Sequence, residues 1–127
     1  MILKYYRNFQ VLEADAKTGD VVYVEEKLSP EEQLEKVLAF AKTWEKECKT
    51  VLTMSDTVVL GIRLAVKRHI IRPSGITTIH YFPAKTLDEY NRYWGELEVL
   101  IDNNGSLSQY PDGFMDTWNN TLLELMR

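Results

Sequence analysis

The residues best suited to chemistry come early in the chain. Val21, Val22, Tyr23 and Val24 have buried-strand character and run directly into two carboxylates, Glu25 and Glu26. Paired acids at the mouth of a strand could hold a divalent cation with one carboxylate and accept a proton from water with the other. No stretch of the form G-x-x-x-x-G-K-[ST] occurs in the 127 residues, so no loop of that kind cradles phosphates. The pair is either an ordinary strand end or the remnant of a site that has lost its catalysis.

The other reactive side chains favour structural readings. Cys48 is the one cysteine, which excludes an internal disulfide and a multi-cysteine zinc site and suits a reducing, cytoplasmic compartment. It falls on the apolar face of an expected helix, where a packed thiol is favoured over a thiolate. His80 reads as a strand side chain at a sheet face. No second histidine or cysteine lies at ligand spacing, so neither a metal nor another cofactor is expected. His69 also lacks a partner visible in the sequence. Glu31 and Glu32 suit a helix N-terminus, which stabilises negative charge.

Arg63, Lys67, Arg68, His69 and Arg72 cluster within ten positions, yet the net charge is −4. Arg63, Lys67, Arg68 and Arg72 are candidate nucleic-acid contacts. A solvated helix face whose last turn carries cations is the favoured reading and accounts for them on its own, so nucleic acid is not the expected partner.

These side chains must be positioned by a folded domain. Hydrophobic residues make up 45% of the chain and charged residues 27%, a globular balance. A single domain over residues 1–127 can bury roughly two thirds of its unfolded surface. The start, Met1-Ile2-Leu3-Lys4-Tyr5-Tyr6-Arg7, has no apolar signal core, and no apolar run nears the ~18 residues of a membrane span.

Residues 1–24 read as strand, turn and strand, the turn being Asp15 to Asp20, with a short helix as the alternative for the first piece. Ser29-Pro30-Glu31-Glu32 is a capping box with proline at the first helical position, and Leu34, Val37, Leu38, Ala41, Trp44 and Cys48 follow at helical spacing, predicting a helix from about 30 to 47. Thr50 to Thr53 is a short buried strand. Ser55 or Asp56 caps a second helix with Val58, Val59, Ile62, Ala65 and Val66 on its apolar face.

Pro73-Ser74-Gly75 breaks that helix. Residues 76 to 82 form a strand with Ile76, Thr78, His80 and Phe82 on one face and Thr77, Ile79 and Tyr81 on the other. Residues 84–94 read as a polar loop. Its Tyr90, Tyr93 and Trp94 either anchor a protein partner or cover the sheet edge. In the strand from Glu96 to Ile101, Glu96 and Glu98 point outward and Leu97, Val99 and Ile101 inward; Asp102-Asn103-Asn104-Gly105 then makes a hairpin turn. Phe114, Trp118, Leu122 and Leu125 stripe a terminal helix that should dock on the sheet. The fold class is α/β, a mixed sheet with parallel strands joined by helices and an antiparallel edge hairpin.

Taken in order, residues 17 to 126 resemble the C-terminal lobe of ABC-type ATPases of the RecF, SMC and OLD-like group. The residues that carry the resemblance are Val21 to Glu26 as a Walker B strand, Thr53-Met54-Ser55-Asp56 at the end of the second strand, and Arg63-Leu64-Ala65-Val66-Lys67 in the following helix. The closing segment adds a strand, a turn and Pro111-Asp112-Gly113-Phe114 before the last helix.

The resemblance implies that Glu25 sits at the magnesium-associated position and Glu26 at the water-activating one. It also implies that Met54 replaces a histidine that contacts the γ-phosphate; a thioether can only pack there. The family's Walker A loop, Q-loop and signature motif would lie before residue 1. The resemblance therefore implies a non-catalytic interaction protein. It would be a stand-alone, degenerate ATPase lobe acting as a regulatory or decoy subunit on a full-length ATPase, another partner or a second copy, in a phage-host conflict. The alternative is an ATPase assembled in trans, with Glu25 and Glu26 supplied to a P-loop on another chain. No ATP hydrolysis is expected of the chain alone, because phosphates and a P-loop hydroxyl hold most of the magnesium in such sites.

Overall fold

The structure, a computed structural model, describes residues 1–23, 27–72, 78–92 and 95–109. Among these residues nine elements follow one another: β1 (Ile2–Tyr6), α1 (Phe9–Asp15), β2 (Val21–Tyr23), α2 (Pro30–Lys46), β3 (Thr50–Thr53), α3 (Asp56–Lys67), β4 (Thr78–Phe82), α4 (Leu87–Arg92) and β5 (Leu97–Leu100). The strands form one sheet in the order β2-β3-β1-β4-β5. β1 pairs parallel with β3 and with β4, β2 pairs parallel with β3, and β5 closes the edge antiparallel to β4. The expected α/β class with its parallel part and antiparallel edge is borne out.

Strand alternation sends successive side chains to opposite faces. Leu3, Tyr5, Val51, Ile79, Tyr81 and Val99 face α2 and α3 and are at most 4% exposed. The anticipated apolar face of α3, Val58, Val59, Ile62, Ala65 and Val66, is buried there. Tyr6, Leu52 and Phe82 face the other way and pack under Val11 and Leu12 of α1 and Leu87 and Tyr90 of α4. Among the described residues, α1 and α4 cover only part of that second face. Ile2, Val22 and Leu100, which share it, are 45%, 42% and 52% exposed.

Local chemistry explains the helix boundaries. Ser29 caps α2, its Oγ accepting from the Glu32 N–H at 3.2 Å, and Pro30 occupies the first turn. Gly61 lets α3 approach α2 so closely that an added Cβ would lie 2.5 Å from Val37 Cγ1.

The N-terminal segment differs from the expected strand, turn and strand. β1 is a strand, and a seven-residue helix, α1, precedes β2. Asn8 drives this locally, since its Oδ1 accepts from the Val11 N–H at 3.1 Å. The expected loop at 84–94 contains α4, started by Thr86, whose Oγ1 accepts from the Glu89 N–H at 3.0 Å. Cys48 is not packed on a helix face. It is exposed just beyond α2, with φ at +51°. Leu97, expected inward, is 43% exposed because it begins the edge strand. The expected terminal helix lies outside the described residues.

Candidate functional site

In open α/β sheets, ligands bind at the carboxyl ends of the parallel strands. In this chain that edge is built from the ends of β1, β2, β3 and β4. Tyr23 closes β2 in register with Thr53, and Thr53 Oγ1 donates to the Tyr23 carbonyl at 3.0 Å while accepting from the Ser55 N–H, also at 3.0 Å. The threonine thus fixes the exit from β3. Glu25 and Glu26 follow Tyr23 in sequence and lie outside the described residues.

Met54, Ser55 and Asp56 all stand at this edge, in three different environments. The Met54 side chain is 40% exposed. Ser55 is buried and precedes α3 as its N-cap, without a capping bond from its side chain. Asp56, in the first turn of α3, accepts a hydrogen bond from the phenol of Tyr5 on β1. Arg7, immediately after β1, brings Nη1 to 3.5 Å from the Tyr81 hydroxyl, and the rings of Tyr5 and Tyr81 stack at 5.5 Å.

Burial first, then the bond to Asp56, pushes the Tyr5 phenol well above the usual tyrosine range. The same two causes, with Asp15 as the acceptor, push Tyr6 up. These phenols hold their protons and serve as donors rather than as bases.

Tyr5, Tyr6, Arg7, Asp15 and Tyr81 were not anticipated as a group. Their only sequence signal is the run Tyr5-Tyr6-Arg7 at the end of an apolar segment. On the face opposite α2 and α3, Lys4, Asp15, Phe82, Tyr90, Gly95 and Glu96 line a cavity of about 190 Å³. The Lys4 ammonium lies 3.6 Å from Asp15 there.

The remaining candidates separate. Tyr90 is half-buried on α4 and packs against Phe82 with ring centroids 6.3 Å apart. It therefore covers the sheet; Tyr93 and Trp94 lie outside the described residues. Arg63 does not stand with the other basic residues. It is 3% exposed, and its Nε donates to the Gly105 carbonyl at 2.8 Å, joining α3 to the turn after β5. Lys67 is half-buried, Arg68 and Arg72 are exposed, and the Arg72 N–H donates to Glu45 Oε2 at 2.8 Å. Burial thus takes Arg63 out of any surface patch. Among the described residues, no helix is long and apolar enough to cross a membrane.

No curated protein and no solved structure matches the chain. A family model described as "Protein of unknown function (DUF3696)" matches residues 76–125, a segment that takes in β4, α4 and β5 and leaves β1 to α3 outside the match.

Proposed function

We propose that this chain is a non-catalytic interaction protein, built like the C-terminal lobe of an ABC-type or OLD-like ATPase and acting on a full-length ATPase as a regulatory or decoy subunit. The observation that carries this reading is the second sheet face, which the described residues cover only in part and where Ile2, Val22 and Leu100 expose between 42% and 52% of their surface. Exposed apolar side chains sharing one face suit a protein partner.

The absence of catalysis draws support from the central strand. Only Arg7 and Asn8 link β1 to α1, and the Asn8 side chain occupies the first turn of that helix. A phosphate would need those N–H groups and a longer, glycine-rich approach. Met54 contributes a thioether at the end of β3, where a catalytic contact would need a polar donor.

The purified chain should hydrolyse no ATP. Added to a full-length ABC-type ATPase from the same organism, it should co-elute in size exclusion and change that enzyme's turnover. Val22→Glu and Leu100→Glu should abolish both effects while leaving the circular dichroism spectrum unchanged. ATP turnover by the chain alone, lost in Glu26→Gln, would overturn the reading. If stimulation of the partner depends on Glu26, the chain instead completes an ATPase in trans.

A further inference from the structure

The pairing of β4 with β5 assembles a donor set that is dispersed in the sequence. His80 stands opposite Glu98 in the antiparallel ladder. Glu96 precedes Glu98 by two positions and shares its face, and it places Oε2 at 3.1 Å from His80 Nδ1. One ligand atom from each of His80, Glu96 and Glu98 lies within 4.8 Å of the others. Lys4 neighbours His80 on β1, but its ammonium is engaged by Asp15 at 3.6 Å. Part of its positive charge is thereby offset away from the three donors.

We infer that His80, Glu96 and Glu98 form a surface site for a divalent first-row transition ion, with Zn²⁺ as its representative. An imidazole nitrogen with two carboxylate oxygens suits zinc, whereas Mg²⁺ and Ca²⁺ prefer shells made wholly of oxygen. Zinc bonds of about 2.0–2.2 Å separate tetrahedral donors by about 3.4 Å. His80 is the fixed member, its side chain 20% exposed within the sheet, while the Glu96 side chain, 43% exposed, is free to rotate inward. The ion would replace the contact between His80 and Glu96 and leave a fourth position open to water or to a donor from a partner. It would also cross-link the edge strand to β4. The sequence conceals the site because its spacing depends on strand register, which no local motif encodes.

Calorimetric titration of the full chain with ZnCl₂ tests the inference. A Cys48→Ser background keeps the exposed thiol from contributing. The expected result is one ion per chain, with affinity reduced at least tenfold by His80→Ala and by Glu98→Gln and unchanged by His69→Ala. Co²⁺ should give a visible absorption band that Zn²⁺ bleaches and Mg²⁺ does not. Should His80→Ala misfold by circular dichroism, the exposed Glu98→Gln variant decides alone. The inference is overturned if no saturable binding occurs, if binding survives Glu98→Gln, or if His69→Ala removes it.

Discussion

The phenol of Tyr5 donates a hydrogen bond to the carboxylate of Asp56, across 51 positions of sequence. It ties the end of the central strand to the first turn of α3, the helix that follows the neighbouring strand β3. Hydrogen bonds to a charged acceptor contribute about 1.5–3 kcal/mol, and losing one partner leaves the other poorly solvated. Tyr5→Phe should therefore lower unfolding stability by about 1.5–2 kcal/mol in urea titrations. An unchanged midpoint would show that water replaces the phenol without loss.

The same contact predicts alkaline sensitivity. An unfolded tyrosine ionises near pH 10, while Tyr5 and Tyr6 in the folded chain keep their protons to higher pH because of burial and the adjoining Asp56 and Asp15. Above that unfolded value the folded state binds more protons than the unfolded state. Stability is then fully present below about pH 10 and falls as pH rises, by about 1.4 kcal/mol per pH unit for each phenol. Tyr5→Phe should remove one phenol's share of that slope. Denaturant midpoints recorded between pH 9 and pH 11 would measure it.

What the sequence disclosed was local chemistry. The Ser29 cap and Pro30 located the start of α2, and Asn104-Gly105 located the turn in which Gly105 adopts φ of +77°. Thr86 and Glu89, at capping-box spacing, carried a usable signal for α4, but the helix is too short for apolar periodicity to reinforce it. Strand order was not legible. That β1 lies between β3 and β4 follows from packing of α2 and α3 on one face, and with it come the meetings of Tyr5 with Asp56 and of Lys4 with His80. Arg63 misled because its charge and helical spacing match an exposed basic face, whereas its partner is a backbone carbonyl in a distant turn.

Gly61→Ala should destabilise the protein although alanine is the better helix former by about 1 kcal/mol. The new methyl would meet Val37 Cγ1 at 2.5 Å and Cβ at 2.8 Å, and Val37 is 0% exposed and has no room to retreat. Overpacking of this kind costs about 1–3 kcal/mol, so a net loss of up to about 2 kcal/mol is expected. Combining it with Val37→Ala should cost less than the sum of the two single changes. Additive losses would show that the helices separate rather than clash.

Arg63→Ala should act on stability, not on nucleic-acid affinity. It removes the donor to Gly105 and leaves a cavity beside α3, a combination worth about 2–3 kcal/mol. Arg72→Ala should stay within about 0.5 kcal/mol of the parent, because that side chain is exposed. Equal effects of the two substitutions on thermal unfolding would contradict the structural role given to Arg63.

Helices α2 and α3 end in the same way. Beyond α2 the Lys49 N–H donates to the Trp44 carbonyl at 3.0 Å and the Cys48 N–H to Glu45 at 3.1 Å; beyond α3 the Ile70 N–H donates to Ala65 at 2.8 Å and the His69 N–H to Val66 at 3.0 Å. These paired bonds define Schellman motifs, in which glycine is the usual residue at the left-handed position. Cys48 and His69 occupy it at φ of +51° and +60°. A side chain there costs about 1–2 kcal/mol, and glycine returns part of the gain as unfolded-state entropy, about 0.4–1 kcal/mol. Cys48→Gly and His69→Gly should each raise stability by about 0.5–1 kcal/mol. The two sites close different helices, so the double variant should show additive gains in its melting temperature. A loss at either position would mean that its side chain makes a contact worth more than the backbone strain it imposes.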